Sequence, residues 1–187
     1  NLTEGRGTLL TAGIIDDHKK RCMVSILSSE KVEVSPREIS VAISLLKNSG
    51  RFEWFLEKAT ELGVNSIIPM VCERTEKQKI RIDRMRQIVV SAMLQSQQCW
   101  MPVLHEITDF DEVIEKARQH QKFIAHCIPE QKRQLTDLVN ESVSSQLILI
   151  GPEGDFTSRE IENAVTHHFD AVSLGDTRLR SETAGIV

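Results

Sequence analysis

From residue 39 to the end, short apolar runs alternate with longer stretches of helical periodicity, and that alternation leaves few folds open. The apolar runs are "ISVAISLL" (39–46), "NSIIPMV" (65–71), "KFIAHCI" (122–128), "SQLILIG" (145–151) and "AVSLG" (171–175). Between them the spacing predicts helices over 51–63, 80–98, 109–120, 134–141 and 157–168. In the first, Phe52, Phe55, Leu56, Ala59 and Leu62 share one face, and Gly63 stands as a stop. Strands that alternate with helices imply a parallel sheet covered on both faces. Residues 39–187 are therefore expected to form an α/β domain. Residues 1–35 read differently. "GTLLTAGIID" (7–16) and "RCMVSIL" (21–27) are β-rich, "DDHKK" joins them, and "VSPRE" (34–38) reads as a linker.

Bulk properties narrow the functional classes. The formal charge is -4, which counts against loose electrostatic coating of nucleic acid but leaves room for a local basic patch. Cys22, Cys72, Cys99 and Cys127 form no Cys-x-x-Cys pair, so they are expected to be buried free thiols in a reducing compartment. The six histidines show no metal-ligand spacing, and no metal is expected. No apolar run is long enough to suggest a membrane span, and no signal peptide is seen, so a cytoplasmic location is expected. The chain lacks an initiator Met and ends at Ala184-Gly185-Ile186-Val187, and both ends are expected to be trimmed.

Two stretches carry the chemistry. In "LILIGPEGDFTSREI" (147–161) a strand runs into a glycine turn and then a helix. Gly151 and Gly154 are expected to supply positive φ and uncovered N–H groups. Ligands of open α/β sheets bind beyond the carboxyl ends of strands. The turn alone fits a bare strand-to-helix connection equally well. Glu153 and the missing lysine disfavour a phosphate loop and suit a neutral or cationic ligand. In "LGDTRLRSETAG" (174–185), Arg178, Arg180, Glu182 and Thr183 fall close together, and Ser181 reads as a helix cap. By itself this is a capped helix with a solvated Arg–Glu pair.

Together, "GPEGDFT..EI" and "LG..RLR.ETA" resemble the C-terminal signature of the SPOUT methyltransferases, and more closely the family that methylates N3 of a uridine in 16S ribosomal RNA. "EKATELGVNSIIPM" (57–70), Glu73-Arg74 and "LQSQQCWMP" (94–102) agree with it, and the N-terminal strands are similar to the family's PUA-like RNA-binding domain. The resemblance implies a trefoil-knotted α/β sheet, preceded by a partial PUA-like domain. It implies S-adenosylmethionine as cofactor, cupped by Ile150, Gly151, Pro152, Glu153, Gly154, Leu174, Gly175, Leu179, Arg180 and Thr183. It also implies a homodimer acting on 16S ribosomal RNA of the small subunit. Two departures stand out. The family often has Gly where Asp155 stands, and often Arg after the Gln-Ser of the middle motif, where Gln97 follows Ser96.

Arg180 and Glu182 are the catalytic candidates, one to stabilise charge on the uracil ring and one to accept the N3 proton. Ordering of the loop is an equal alternative for both. "RTEKQKIRIDRMR" (74–86) holds six Lys/Arg against two acids, so Arg74, Lys77, Lys79 and Arg81 are candidate RNA contacts. A solvated helix face is the competing reading. Trp54 and Trp100 are expected to anchor the core rather than stack on bases. Ribose 2′-O methylation, a silent RNA-binding module and an unrelated nucleotide-binding protein stand as alternatives.

Overall fold

The structure is a computed structural model that describes residues 1–76, 80–129, 132–140 and 142–187. Two sheets make it up. Strands β1 (Leu2–Thr3), β2 (Thr8–His18) and β3 (Arg21–Lys31) form an antiparallel sheet. The hairpin is longer than its apolar pattern suggests. "DDH" continues β2, and only Lys19-Lys20 turns.

The second sheet has eight strands, all parallel: β4 (Glu38–Ser44), β5 (Ser66–Val71), β6 (Val103–Leu104), β7 (Thr108–Asp109), β8 (Gln121–Ala125), β9 (Arg133–Gln134), β10 (Ser145–Ile150) and β11 (Asp170–Ser173). Their order is β6-β5-β4-β10-β8-β11-β9, with β7 also on β5. β10 is inserted between β4 and β8 in continuous register on both sides. Leu147, Leu149 and Ile150 are buried and Ile148 is half-buried, because helices cover both faces of the sheet, which explains the unbroken apolar run "LILI".

Helices α1 (Ser49–Glu61), α2 (Ile82–Gln95) and the short α6 (Ser181–Ala184) cover one face. There Val41, Ile43, Ile67 and Ile150 of the strands meet Phe52, Phe55, Leu56, Met85 and Val89. Helices α3 (Phe110–Lys116) and α5 (Ser158–Thr166) cover the other, packing on Ala42, Met70, Ile124, Leu147 and Leu149. Helix α4 (Leu135–Leu138) is a single turn at the sheet's far edge. Each fully buried large side chain contributes about 1.5–3 kcal/mol, so this double core dominates stability.

Three helices end in the same way. The residue after the C-cap takes left-handed φ, and its N–H and the next one return to the last turn, a Schellman motif. In α1 the residue is Gly63 (φ 82), with Gly63 N–H to Thr60 O at 3.0 Å and Val64 N–H to Ala59 O at 3.1 Å. In α2 it is Gln97 (φ 57) and in α5 His168 (φ 65).

Several expectations need correction. Leu62 is 69% exposed, because it is the C-cap of α1 and the chain has already turned outward. α3 stops at Lys116, where Arg118 donates through Nη1 to the carbonyls of Glu115 and Ala117 and closes the helix end. Ser181 is the first residue of α6 and not its cap. Arg180 occupies the cap without a side-chain bond. Trp54 and Trp100 are 42% and 39% exposed. The Trp100 indole lies against Gly7 and donates through Nε1 to Val32 O at 3.0 Å, tying the segment before β6 to the one just after β3. Cys72 and Cys99 are buried, but Cys22 and Cys127 are exposed. Burial, reinforced by the charge of Glu160, pushes the Cys72 thiol up and keeps it protonated.

Two of these capping positions, Gly63 and Gln97, predict opposite responses. Gly63→Ala should lower unfolding free energy by about 1 kcal/mol, because a Cβ is disfavoured at left-handed φ. Gln97→Gly should raise it by up to about 1 kcal/mol, as relief of that penalty outweighs the entropy of an added glycine. Chemical denaturation of the three proteins measures both.

Candidate functional site

The carboxyl ends of β8, β10 and β11 release three loops that converge on two adjoining cavities. The first, about 360 Å³, is lined by residues 125–129, Lys132 and residues 172–179. The second, about 300 Å³, is lined by Arg51, Ile150, Gly151, Pro152, Glu153, Asp155, Arg178, Leu179, Arg180 and Ser181. Ala125, Cys127, Arg178, Leu179 and Ala184 belong to both. The two motifs read from the sequence thus face each other across one cleft, at the point where β10 separates the two halves of the strand order.

The β10 loop is held by its neighbours. Its turn closes with Asp155 N–H to Pro152 O at 2.9 Å. Neither Gly151 nor Gly154 has positive φ, contrary to expectation. The left-handed residue is Asp155, at φ 63. Its carboxylate explains how a non-glycine is kept there. Oδ1 accepts from Phe156 N–H at 2.9 Å, and Oδ2 accepts from Cys127 N–H at 2.8 Å, which ties the β10 loop to the β8 loop. Arg74 donates through Nη1 to Gly154 O at 2.8 Å and Phe156 O at 3.4 Å. Glu153 Oε1 accepts from Lys47 N–H at 3.1 Å.

Behind the loop, Thr157 and Glu160 form a reciprocal capping box on α5. Glu160 is buried and also accepts from Glu73 N–H at 2.8 Å, so one carboxylate fixes the loop after β5 against the start of α5.

The β11 loop crosses to the opposite face of the sheet, and α6 lands on α1. There Gly185 approaches Phe55 so closely that a Cβ would sit 2.6 Å from the ring. Glu182 is buried, with Oε1 3.6 Å from Arg51 Nε and Oε2 without a hydrogen-bond partner among the described residues.

The candidate residues therefore sort as follows. Ile150, Gly151, Pro152, Glu153, Leu179 and Arg180 line the second cavity, and Leu174, Gly175 and Leu179 the first. Gly154 turns toward Arg74, and Thr183 lines neither cavity. Glu182 lies under α6 against Arg51 and does not line the cleft. Arg74 is exposed but braces the β10 loop. Arg81 caps α2 through its backbone, while Lys77 and Lys79 lie outside the described residues. The site is also richer in cations than the turn sequence suggested, because Arg51, Arg178 and Arg180 enter it from elsewhere. Sequence reasoning missed Arg51, Cys127, the tie made by Asp155 and the buried Glu160. The last was signalled by Thr157-x-x-Glu160; Arg51 had no local signal.

Among the described residues, no cluster of three or more His, Cys, Asp or Glu is arranged to hold a metal ion, and no helix is long and apolar enough to cross a membrane.

Comparison with known proteins places this geometry in a family. A family model described as RNA methyltransferase domain matches residues 33–187. A crystal structure of a probable rRNA-methyltransferase from Porphyromonas gingivalis superposes with TM-score 0.91 at 34% identity, covering 98% of this chain and 79% of that one. A ribosomal RNA small subunit methyltransferase E from Neisseria gonorrhoeae, bound to S-adenosyl methionine, gives TM-score 0.88 at 30% identity, covering 98% and 77%. The ribosomal RNA small subunit methyltransferase E of Synechocystis is 32% identical over 164 residues, which are 85% of this chain but only 54% of that protein. The chain thus spans about half the length of that curated relative. With a family model covering most of its length and the same parallel sheet as its solved relatives, this chain belongs to the SPOUT-class RNA methyltransferases, in the family of the small-subunit ribosomal RNA methyltransferases E.

Proposed function

We propose that this protein transfers the methyl group of S-adenosylmethionine to N3 of a uridine in 16S ribosomal RNA of the small subunit. The observation that carries the reading is the convergence of the β8, β10 and β11 loops on one cleft, in a chain whose Neisseria relative holds that cofactor.

The residues present fit the cofactor. The first cavity offers aliphatic walls from Val172, Leu174 and Leu179, with backbone groups along 125–129 and 174–179, a donor set suited to a flat adenosine. Gly175 has φ 124, and a Cβ there would meet no atom within 4 Å, so the backbone is left open toward a ligand. Glu153 and Asp155 supply carboxylates beside the second cavity, compatible with a sulfonium. When bound, S-adenosylmethionine supplies an electrophilic methyl carbon.

The chain's own residues orient the acceptor and manage its charge. Positioning of two reactants can contribute about 7–11 kcal/mol at best. Arg180 lines the cleft, is exposed, and its guanidinium has no partner among the described residues, so it is available to stabilise charge as uridine N3 loses its proton. The burial of Glu182 against Arg51 fits the loop-ordering role better than that of proton acceptor. The crossing of residues 174–184 from the β11 edge to the α1 face supports a trefoil knot in this segment. We further read residues 1–35 as part of a PUA-like RNA-binding domain, the functional unit as a homodimer, and the compartment as the cytoplasm.

Two measurements test the proposal. Incubation with labelled S-adenosylmethionine and small-subunit ribosomal RNA, followed by nuclease digestion and mass spectrometry, should yield N3-methyluridine. A 2′-O-methylated nucleoside, or no incorporation, would contradict it. Arg180→Ala should lower kcat by about 100-fold while cofactor affinity by calorimetry changes less than about twofold. Equal losses in both would reject a chemical role for Arg180.

A further inference from the structure

The charged groups around the second cavity are not in equivalent states. Its carboxylates are engaged: Glu153 Oε1 by the Lys47 N–H, and both oxygens of Asp155 by the Phe156 and Cys127 N–H groups. Its arginines are largely unengaged. Arg178 is exposed and, like Arg180, has no carboxylate partner among the described residues. Among the described residues Arg51 meets Glu182 only through Nε at 3.6 Å, longer than a hydrogen bond, with its side chain 38% exposed. Arg51 arrives from the first turn of α1 and Arg178 from the β11 loop, so two separate elements present guanidinium donors at the rim of one cleft.

A guanidinium matches the fork of two phosphate oxygens, and such bidentate contacts are strong and directional. An exposed rim suits a long polyanion arriving from solvent better than a small ligand enclosed in the cleft. The formal charge of -4 also means that any grip on nucleic acid must be concentrated locally. We propose that Arg51 and Arg178, flanking Arg180, form a clamp for a backbone phosphodiester of the RNA substrate, next to the nucleotide that enters the cleft. The clamp rests on the RNA-substrate part of the reading above and not on the methyl-transfer step. It assigns substrate contacts to residues outside the basic 74–86 run.

The test measures binding of deproteinised small-subunit ribosomal RNA across a salt series, with S-adenosylmethionine affinity determined in parallel by calorimetry. Arg178→Ala removes no ion pair or hydrogen bond found among the described residues, so it is the cleaner of the two variants. Arg51→Ala is the second variant, checked for folding because it also frees Glu182. Each should weaken RNA binding about tenfold at low salt and reduce the salt slope by about 1, with cofactor affinity changed less than about twofold. Unchanged RNA affinity and slope in Arg178→Ala would overturn the clamp. So would a loss confined to S-adenosylmethionine, which would assign these cations to the donor's carboxylate. If the wild type binds RNA through these arginines but transfers no methyl group, the catalytic reading fails and the clamp stands.

Discussion

The architecture depends on the insertion of β10 between β4 and β8. A parallel strand paired on both sides has no free edge, and its loop can leave only at the carboxyl end. That places the turn 151–155 directly beside the loop after β8, close enough for the Asp155 carboxylate to take the Cys127 N–H. The third loop reaches the same place because the chain leaves β11 on one face and must end against α1 on the other. Gly185 permits that landing, since any side chain there would overlap the Phe55 ring. The cleft therefore follows from strand order and one close helix contact.

The loops around the cleft are held by polar ties as well as by the buried Phe156, whose ring packs on Phe110 with centroids 5.5 Å apart. Arg74 holds two carbonyls of the β10 loop, Glu160 joins the loop after β5 to α5, and Asp155 joins β8 to β10. Hydrogen bonds to charged groups contribute about 1.5–3 kcal/mol each when well formed. Asp155 holds a backbone conformation that glycine would adopt without strain. Its two hydrogen bonds offset the conformational cost.

Much of this was legible in the sequence, for physical reasons. The alternation of apolar runs and helical spacing gave the parallel sheet, and "LILI" marked the strand buried on both faces. The paired C-terminal motifs marked two of the loops around the cleft. What escaped depends on tertiary approach. Nothing near Arg51 shows that α6 will lie over it, and nothing near Trp100 shows that Gly7 will pack against its indole. Local periodicity placed Leu62 inside, but the left-handed turn at Gly63 begins just after it and leaves it exposed. The glycines of "GPEG" were credited with a backbone conformation that falls instead on Asp155.

If the loops after β8, β10 and β11 act as one receptor for S-adenosylmethionine, they should respond to it as a unit. Amide hydrogen exchange of the full chain, with and without the cofactor, tests it most directly. Residues 126–129, 151–155 and 174–180 should slow together on addition of the cofactor. Protection of only one of these segments, or of none, would contradict it.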